Sequence, residues 1–284
     1  MEGKTVAARI HDLHGDLTGA GRKAARGLLG NYPLLGLAPV AEFASGAGVS
    51  AATVVRFVAQ LGFRSYPDFQ RALREELEER SKSPLERPAL VPRAGEGGFL
   101  AGFLEQAAQR ASGTVQLIPD WEFEAVCQKL AEGRGHCYLA GGRFTDFLAG
   151  YFEAHLRLVR PGITRLDGRM ATRADQMIDV RAGDPAVLFD VRRYDDNLLE
   201  TAEELARKRA HIVLITDEWV SPVSRHAKHV LPCRTETGRT WDANGAVLAL
   251  VEAIIARTTE LAWPSASKRI GALEEKPWNI ARPT

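Results

Sequence analysis

The chain is poor in cysteine and methionine, three of each in 284 residues, and its aromatic content is only 7%. Cys127, Cys137 and Cys233 are too few and too scattered for a disulfide framework, and their number is odd. That pattern fits a reducing compartment. Net charge is also scarce: 37 basic side chains face 36 acidic ones, leaving +1. A globally basic nucleic-acid binder is thereby excluded, so any such contact must rest on local charge. Long apolar runs are missing as well. The longest, "GAVLALVEAIIA", is interrupted by Glu252 and is too short to span a bilayer. The first residues, "MEGKTVAARIHDLHGD", lack the apolar core of a signal peptide. A cytoplasmic protein without membrane contact is expected.

What is present has two grammars. Residues 1–80 read as short helices without a strand. "TVAARIHDL" and "GRKAARGLL" repeat apolar residues at helical spacing, and "YPDFQRALREELEER" opens on Pro67 and ends in charge. Residues 81–98, "SKSPLERPALVPRAGEGG", are rich in Pro, Gly and Ser without periodicity and read as a linker. From 99 to 262 short apolar runs alternate with helical patterns. "HCYLAG", "ITRLD", "AVLFDV", "HIVLIT" and "HVLPC" predict five strands, and "NLLETAEELARKRA" and "ANGAVLALVEAIIART" two of the helices between and after them. Continuous apolar strands between helices imply a five-stranded parallel sheet covered on both faces. The tail, 263–284, is expected to dock on that core.

The most specific pattern is "VAEFASGAGVSAATVVRFVAQLGF", 40–63. A helix-turn-helix needs a small residue at the helix crossing, a turn residue soon after it, and apolar residues closing the corner. Ala44, Gly48, and the set Phe43, Val49, Val54 and Phe57 meet these needs. Ser50 is a good N-cap for the second helix. Ala51, Thr53, Arg56 and Gln60 then face outward, where a recognition helix reaches base edges in the major groove. Through residue 74, Lys4, Arg9, Arg22, Lys23, Arg26, Arg56, Arg64, Arg71 and Arg74 oppose Glu2, Asp12, Asp16, Glu42 and Asp68. This nine-to-five excess suits a phosphate backbone. Arg56 is the expected base reader, and Lys23, Arg64 and Arg71 the expected phosphate contacts on double-stranded operator DNA. The competing reading is a helical bundle using the same corner for protein contacts.

On "GVSAATVVRFVAQLGFRSYPDFQRALREEL", "HCYLAGGRFTDFLAGYFEAHL" and "HIVLITDEWVSPVSRHAKHVL" the chain resembles RpiR-type bacterial transcription regulators. These join a helix-turn-helix to a sugar-isomerase (SIS) domain. The resemblance implies a phosphosugar gripped by two loops, Gly-x-Gly-x-Ser/Thr after the first strand and Ser-x-Ser-Gly-x-Thr after a later one. Hydroxyls and backbone N–H groups at helix starts make such a cradle. Here the first loop reads "GGRFT". Gly141 and Thr145 match, Gly142 follows, and Arg143 takes the second glycine's place. The second loop aligns with "DVRRYD": Asp190 and Arg192 replace the serines, Arg193 the glycine and Asp195 the threonine, with Tyr194 between them. Every hydroxyl of that loop is gone.

Three readings of the loop follow. Arg143, Arg192 and Arg193 form a new anion site, with Asp190 orienting a guanidinium or holding a sugar hydroxyl. Alternatively, Asp190 and Arg192 pair with each other or across a subunit interface and nothing small binds. In the third, the loop lies exposed. Glu236, in "ETGRTW", borders the expected site and is the one candidate base for isomerase chemistry. His226, His229 and Cys233 make an incomplete metal set. His211 reads as structural and "SPVS" as a helix-entry turn. No metal or cofactor is expected. The chain is expected to be a non-enzymatic homodimeric regulator of a carbohydrate or organic-acid operon, sensing a small anionic metabolite, a sugar acid or a phosphosugar. The alternatives are a phosphosugar isomerase and a ligand-free SIS interaction module.

Overall fold

The computed structural model describes residues 5–13, 16–81, 85–86 and 98–275. Most of the expected linker, 81–98, lies outside the described residues, as does the end of the tail.

The amino-terminal part is helical: α1 (Val6–Asp12), α2 (Gly19–Gly30), α3 (Leu34–Leu37), α4 (Val40–Ala47), α5 (Ala51–Gln60) and α6 (Tyr66–Ser81). Apolar residues at three- and four-residue spacing close one core, with Leu28, Phe43, Val54, Phe57 and Phe69 almost wholly buried. The Phe43 ring meets Phe57 edge-on and lies against Phe69, each at 6.4 Å between centroids. Burial of each such ring stabilises by roughly 1.5–3 kcal/mol relative to exposure.

The remaining elements are α7 (Gly98–Thr114), α8 (Asp120–Ala131), β1 (Cys137–Gly141), α9 (Asp146–Val159), β2 (Ile163–Arg165), α10 (Met170–Met177), β3 (Pro185–Asp190), α11 (Asp196–Arg207), β4 (His211–Asp217), β5 (His229–Cys233), α12 (Gly245–Leu261) and α13 (Trp263–Glu274). The five strands form one all-parallel sheet in the order β2-β1-β3-β4-β5. Alternate strand residues feed opposite faces. Leu139, Val187, Phe189 and Ile215 pack under α8, α9 and α12. Tyr138, Ala140, Leu188 and Leu214 pack with Leu198, Ala202 and Leu205 of α11. The start of the tail does dock: α13 lies on α9, with Ala266 buried beside Val159 and the Arg269 guanidinium donating to the Arg157 carbonyl.

From β1 the chain passes to β2 on one side and to β3 on the other, so the order reverses between β1 and β3. In an open parallel sheet that switch point is where a crevice forms beyond the strand ends. The two loops singled out in the sequence, 141–145 and 190–195, flank it. The helical part touches the sheet part through the segment after β4. Val220, in the left-handed region at φ 56°, is buried in the helical core. Thr5 Oγ1 donates to the Glu218 carbonyl (3.2 Å), and Ser224 Oγ to that of Leu29 (3.5 Å).

Candidate functional site

The helix-turn-helix corner is built locally. Gly48 ends α4 at φ 64°, a conformation in which a side chain is strained, and the Val49 N–H reaches back to the Ala44 carbonyl at 2.9 Å. Ser50 caps α5, its Oγ accepting from the Thr53 N–H at 3.2 Å. Ala51, Arg56 and Gln60 are exposed on α5, and Lys23 and Arg64 are exposed nearby. Two expectations need correcting. Thr53 is 92% buried rather than outward: it lies one turn before Phe57 on the buried stripe, and its Oγ1 meets Ser50 Oγ at 2.9 Å. Arg71 is exposed but engaged, 2.6 Å from Asp68 and 4.0 Å from Glu75, so it is no unencumbered phosphate contact. Sequence spacing alone does not single out Ala52 and Val55, which are exposed on the same helix; Val55 keeps 52% of its surface open.

At the sheet's switch point a cavity of about 420 Å³ is lined by both loops and by the segment after β5, including Thr240, Trp241, Asp242 and Asn244. Gly141 is required there, since a Cβ would lie 2.4 Å from the Asp146 nitrogen. The family hydroxyl on Thr145 is buried and spent: it donates to the Phe189 carbonyl (2.6 Å) and accepts from the Gly142 N–H (2.9 Å). That N–H also reaches the Phe189 carbonyl at 3.1 Å. These bonds tie the two loops together and leave neither the Thr145 hydroxyl nor the Gly142 N–H free for an anion.

The second loop is filled with its own carboxylates. Asp195 caps α11, accepting from the Asn197 N–H at 2.9 Å, and so occupies the helix start where a phosphate would be drawn. Asp190 is 1% exposed; one oxygen accepts from the Ser221 hydroxyl and the other from the Asp195 N–H (3.3 Å). Burial, with Asp217 and Asp195 near, pushes its pKa up to about 7. Asp217 is fully buried below it and accepts from the Arg192 N–H (2.6 Å), the Tyr194 hydroxyl (2.7 Å) and the Trp219 N–H (2.9 Å). Desolvation raises it to about 6.

Arg192 is not the open anion fork of the first reading. Its side chain is 1% exposed, lies 3.2 Å from Asp242 and 3.8 Å from Glu236, and stands over the Trp219 ring at 5.2 Å. The pair is internal to the chain, in the spirit of the second reading, but its carboxylates are Asp242 and Glu236. Nor does the loop lie wholly exposed, as the third would have it. Glu236, the candidate base, is held beside a guanidinium, and its own N–H donates to Glu218 at 3.1 Å. Arg143 and Arg193 alone of the three arginines are exposed. Sequence reasoning misses Asp217, Trp219, Trp241 and Asp242. Trp241 and Asp242 follow β5, two strands from the switch point, and only the fold of the loop brings them back to it.

The lesser candidates sit elsewhere. His211 and His229 stack at 5.2 Å at the amino ends of β4 and β5, the opposite end of the strands from the cavity, with His229 Nδ1 3.6 Å from Glu122. Cys233 is buried at the far end of β5, so His229 and Cys233 do not converge. Residues 222–226 form a single 3₁₀ turn capped by Ser221, as expected of a helix entry. Among the described residues no helix is long and apolar enough to cross a membrane.

Known proteins agree with this layout. Residues 4–80 match the model of the helix-turn-helix domain of the rpiR family, and residues 129–257 that of the SIS domain. An uncharacterised HTH-type transcriptional regulator from the aarA 3′ region of Providencia stuartii is 38% identical over 66 residues. That stretch spans 23% of this chain and 23% of that protein. The sugar isomerase domain of an RpiR transcription factor from Sphaerobacter thermophilus superposes with a TM-score of 0.57 at 17% identity, over 63% of this chain and 99% of that one. NanR of Vibrio vulnificus, complexed with ManNAc-6P, superposes with a TM-score of 0.53 at 16% identity, over 95% and 97%. At such identities the superpositions speak for the fold alone. The chain joins a helix-turn-helix domain of the rpiR family to an SIS domain, the two-part architecture that its sequence resemblance implied.

Proposed function

We propose that the protein is a cytoplasmic, homodimeric, non-catalytic regulator that binds operator DNA through α5 and adjusts that binding when a small anion enters the switch-point cavity. The regulated operon is one of carbohydrate or organic-acid metabolism. The observation carrying the reading is a helix-turn-helix whose second helix leaves Arg56 and Gln60 open beside a local excess of basic residues. The same proposal divides the chain into a DNA reader (1–80), a linker (81–98), a sensing and dimerising body (99–262) and a tail (263–284).

The coupling route is the segment after β4. Ser221 bonds Asp190 of the cavity loop, while its neighbour Val220 sits in the core of the DNA reader. A ligand that moves the 190–195 loop therefore acts on the reader's seat. In a dimer this resets the spacing of two recognition helices, which must meet half-sites about one helical turn apart. Isomerase chemistry is disfavoured, because Glu236 is held against Arg192 and the cradle hydroxyl of Thr145 is bonded on both sides. The test is binding of the full chain to DNA from its own upstream region across a salt series. Affinity falling steeply with salt supports the reading; no salt-sensitive binding overturns it. Aldose–ketose turnover lost in Glu236→Gln would establish the isomerase instead.

A further inference from the structure

Four side chains at the cavity mouth have no structural task. Arg193 is exposed and makes no ion pair among the described residues, and Arg143 makes only a cation–π contact with the adjacent Phe144 ring, at 5.1 Å. Phe144 and Trp241 meet edge-on at 6.0 Å, yet keep 53% and 63% of their surface open. Two large rings exposed together at the edge of a cavity mark a surface awaiting an apolar partner.

The groups a polyhydroxylated phosphate ester would need are already committed. Thr145 and the Gly142 N–H bond Phe189 and each other, Asp190 bonds Ser221, and Asp242 pairs with Arg192. A phosphate drawn to the start of α11 would lie against the Asp195 carboxylate that already caps the helix and whose charge repels it. What remains open is a pair of guanidinium forks beside an apolar corner made by two rings set edge-on. A guanidinium grips a carboxylate through two parallel N–H bonds, and an aromatic body stacks on rings in offset or edge-on geometry.

Resting on the reading of this cavity as the effector site, we infer that its ligand is an aromatic carboxylate. The acid group sits between Arg193 and Arg143, and the ring lies on Trp241 and Phe144. The volume of about 420 Å³ admits a one- or two-ring acid. The first loop is thereby closed by its bonds to the Phe189 carbonyl and the second by the protein's own carboxylates, and recognition moves outward to the mouth.

Calorimetric titration of the full chain with benzoate, phenylacetate and indole-3-acetate, against gluconate and glucose 6-phosphate, tests this. At least one aromatic acid should bind ten times tighter than either sugar compound. Arg193→Ala and Trp241→Ala should each weaken that acid tenfold or more, while Arg193→Lys recovers part of the loss. Both residues are exposed, and an unchanged melting temperature of each variant shows that the fold persists. Tighter binding of gluconate or glucose 6-phosphate overturns the ligand class and leaves the regulator reading standing. Aromatic-acid binding indifferent to both substitutions overturns its placement. If no compound binds and none shifts affinity for upstream DNA, the effector-site reading falls with it.

Discussion

The DNA reader and the switch-point cavity spend charge in opposite ways. On α5 and its surroundings Arg56, Lys23 and Arg64 stay exposed, and the helices beneath them are held by apolar packing and by hydroxyl caps at Thr18 and Ser50. In the cavity the charges carry the structure. Asp190, Asp217 and Arg192 are buried and satisfied by one another's neighbourhood, and only the rim is open. An exposed charge can be removed with little effect on folding, whereas a buried one leaves its partner uncompensated. The two regions should therefore answer the same kind of substitution differently.

The largest expected effect is at Arg192. Arg192→Ala removes the guanidinium that pairs with Asp242 and opens a gap beside Trp219, and should cost about 3–5 kcal/mol of unfolding free energy in a urea titration. Arg193→Ala, one residue away and exposed, should stay within about 0.5 kcal/mol. Equal losses for the two would erase the contrast between floor and rim. Next comes Arg56→Ala, which should leave the urea midpoint unchanged but cost roughly 1–3 kcal/mol of operator binding, read as fluorescence anisotropy on labelled DNA. A comparable loss on unrelated DNA would make Arg56 a phosphate contact instead. Ser50→Ala removes the α5 cap and should lower stability by about 0.5–2 kcal/mol. Its effect belongs to folding, so operator affinity per folded molecule should move far less than in Arg56→Ala.

The same contrast governs what can be seen in the sequence. The five strands, the helix-turn-helix and its cap are legible because each follows from local periodicity and turn chemistry within a few residues. α10 (Met170–Met177) is not legible: "MATRADQM" carries little apolar material, and its buried Arg173 is satisfied by Thr201 and by carbonyls from other segments. Thr53 is misassigned because a hydroxyl beside a cap looks like a surface residue until the full buried stripe is drawn. In the cavity the loss of hydroxyls is visible in the sequence. The partners that replace them are not, since Asp242 lies fifty positions from Arg192. Local rules find the loop, and only the fold finds its counter-charges.

The smallest effect isolates one carboxylate of the floor. Asp190 has its pKa raised to about 7 by burial, against an ordinary carboxylate value near 4 in the unfolded chain. Between those values the unfolded chain has lost the proton while the folded one keeps it, so unfolding releases a proton and stability falls as pH rises. The stability is whole below about pH 4 and is lost progressively up to about pH 7. Asp190→Asn keeps the shape and cannot ionise, although its amide nitrogen cannot accept from the Ser221 hydroxyl or the Asp195 N–H as the second carboxyl oxygen does. The variant should thus melt below the wild type at pH 5, and the gap should narrow as pH approaches 8. Asp217, whose charge is one cause of the raised Asp190 value, titrates with it, so the difference between the two proteins reports the coupled pair. A gap constant from pH 5 to pH 8 would mean that Asp190 ionises as freely in the folded chain as in the unfolded one. The floor of the cavity would then be as wet as its rim.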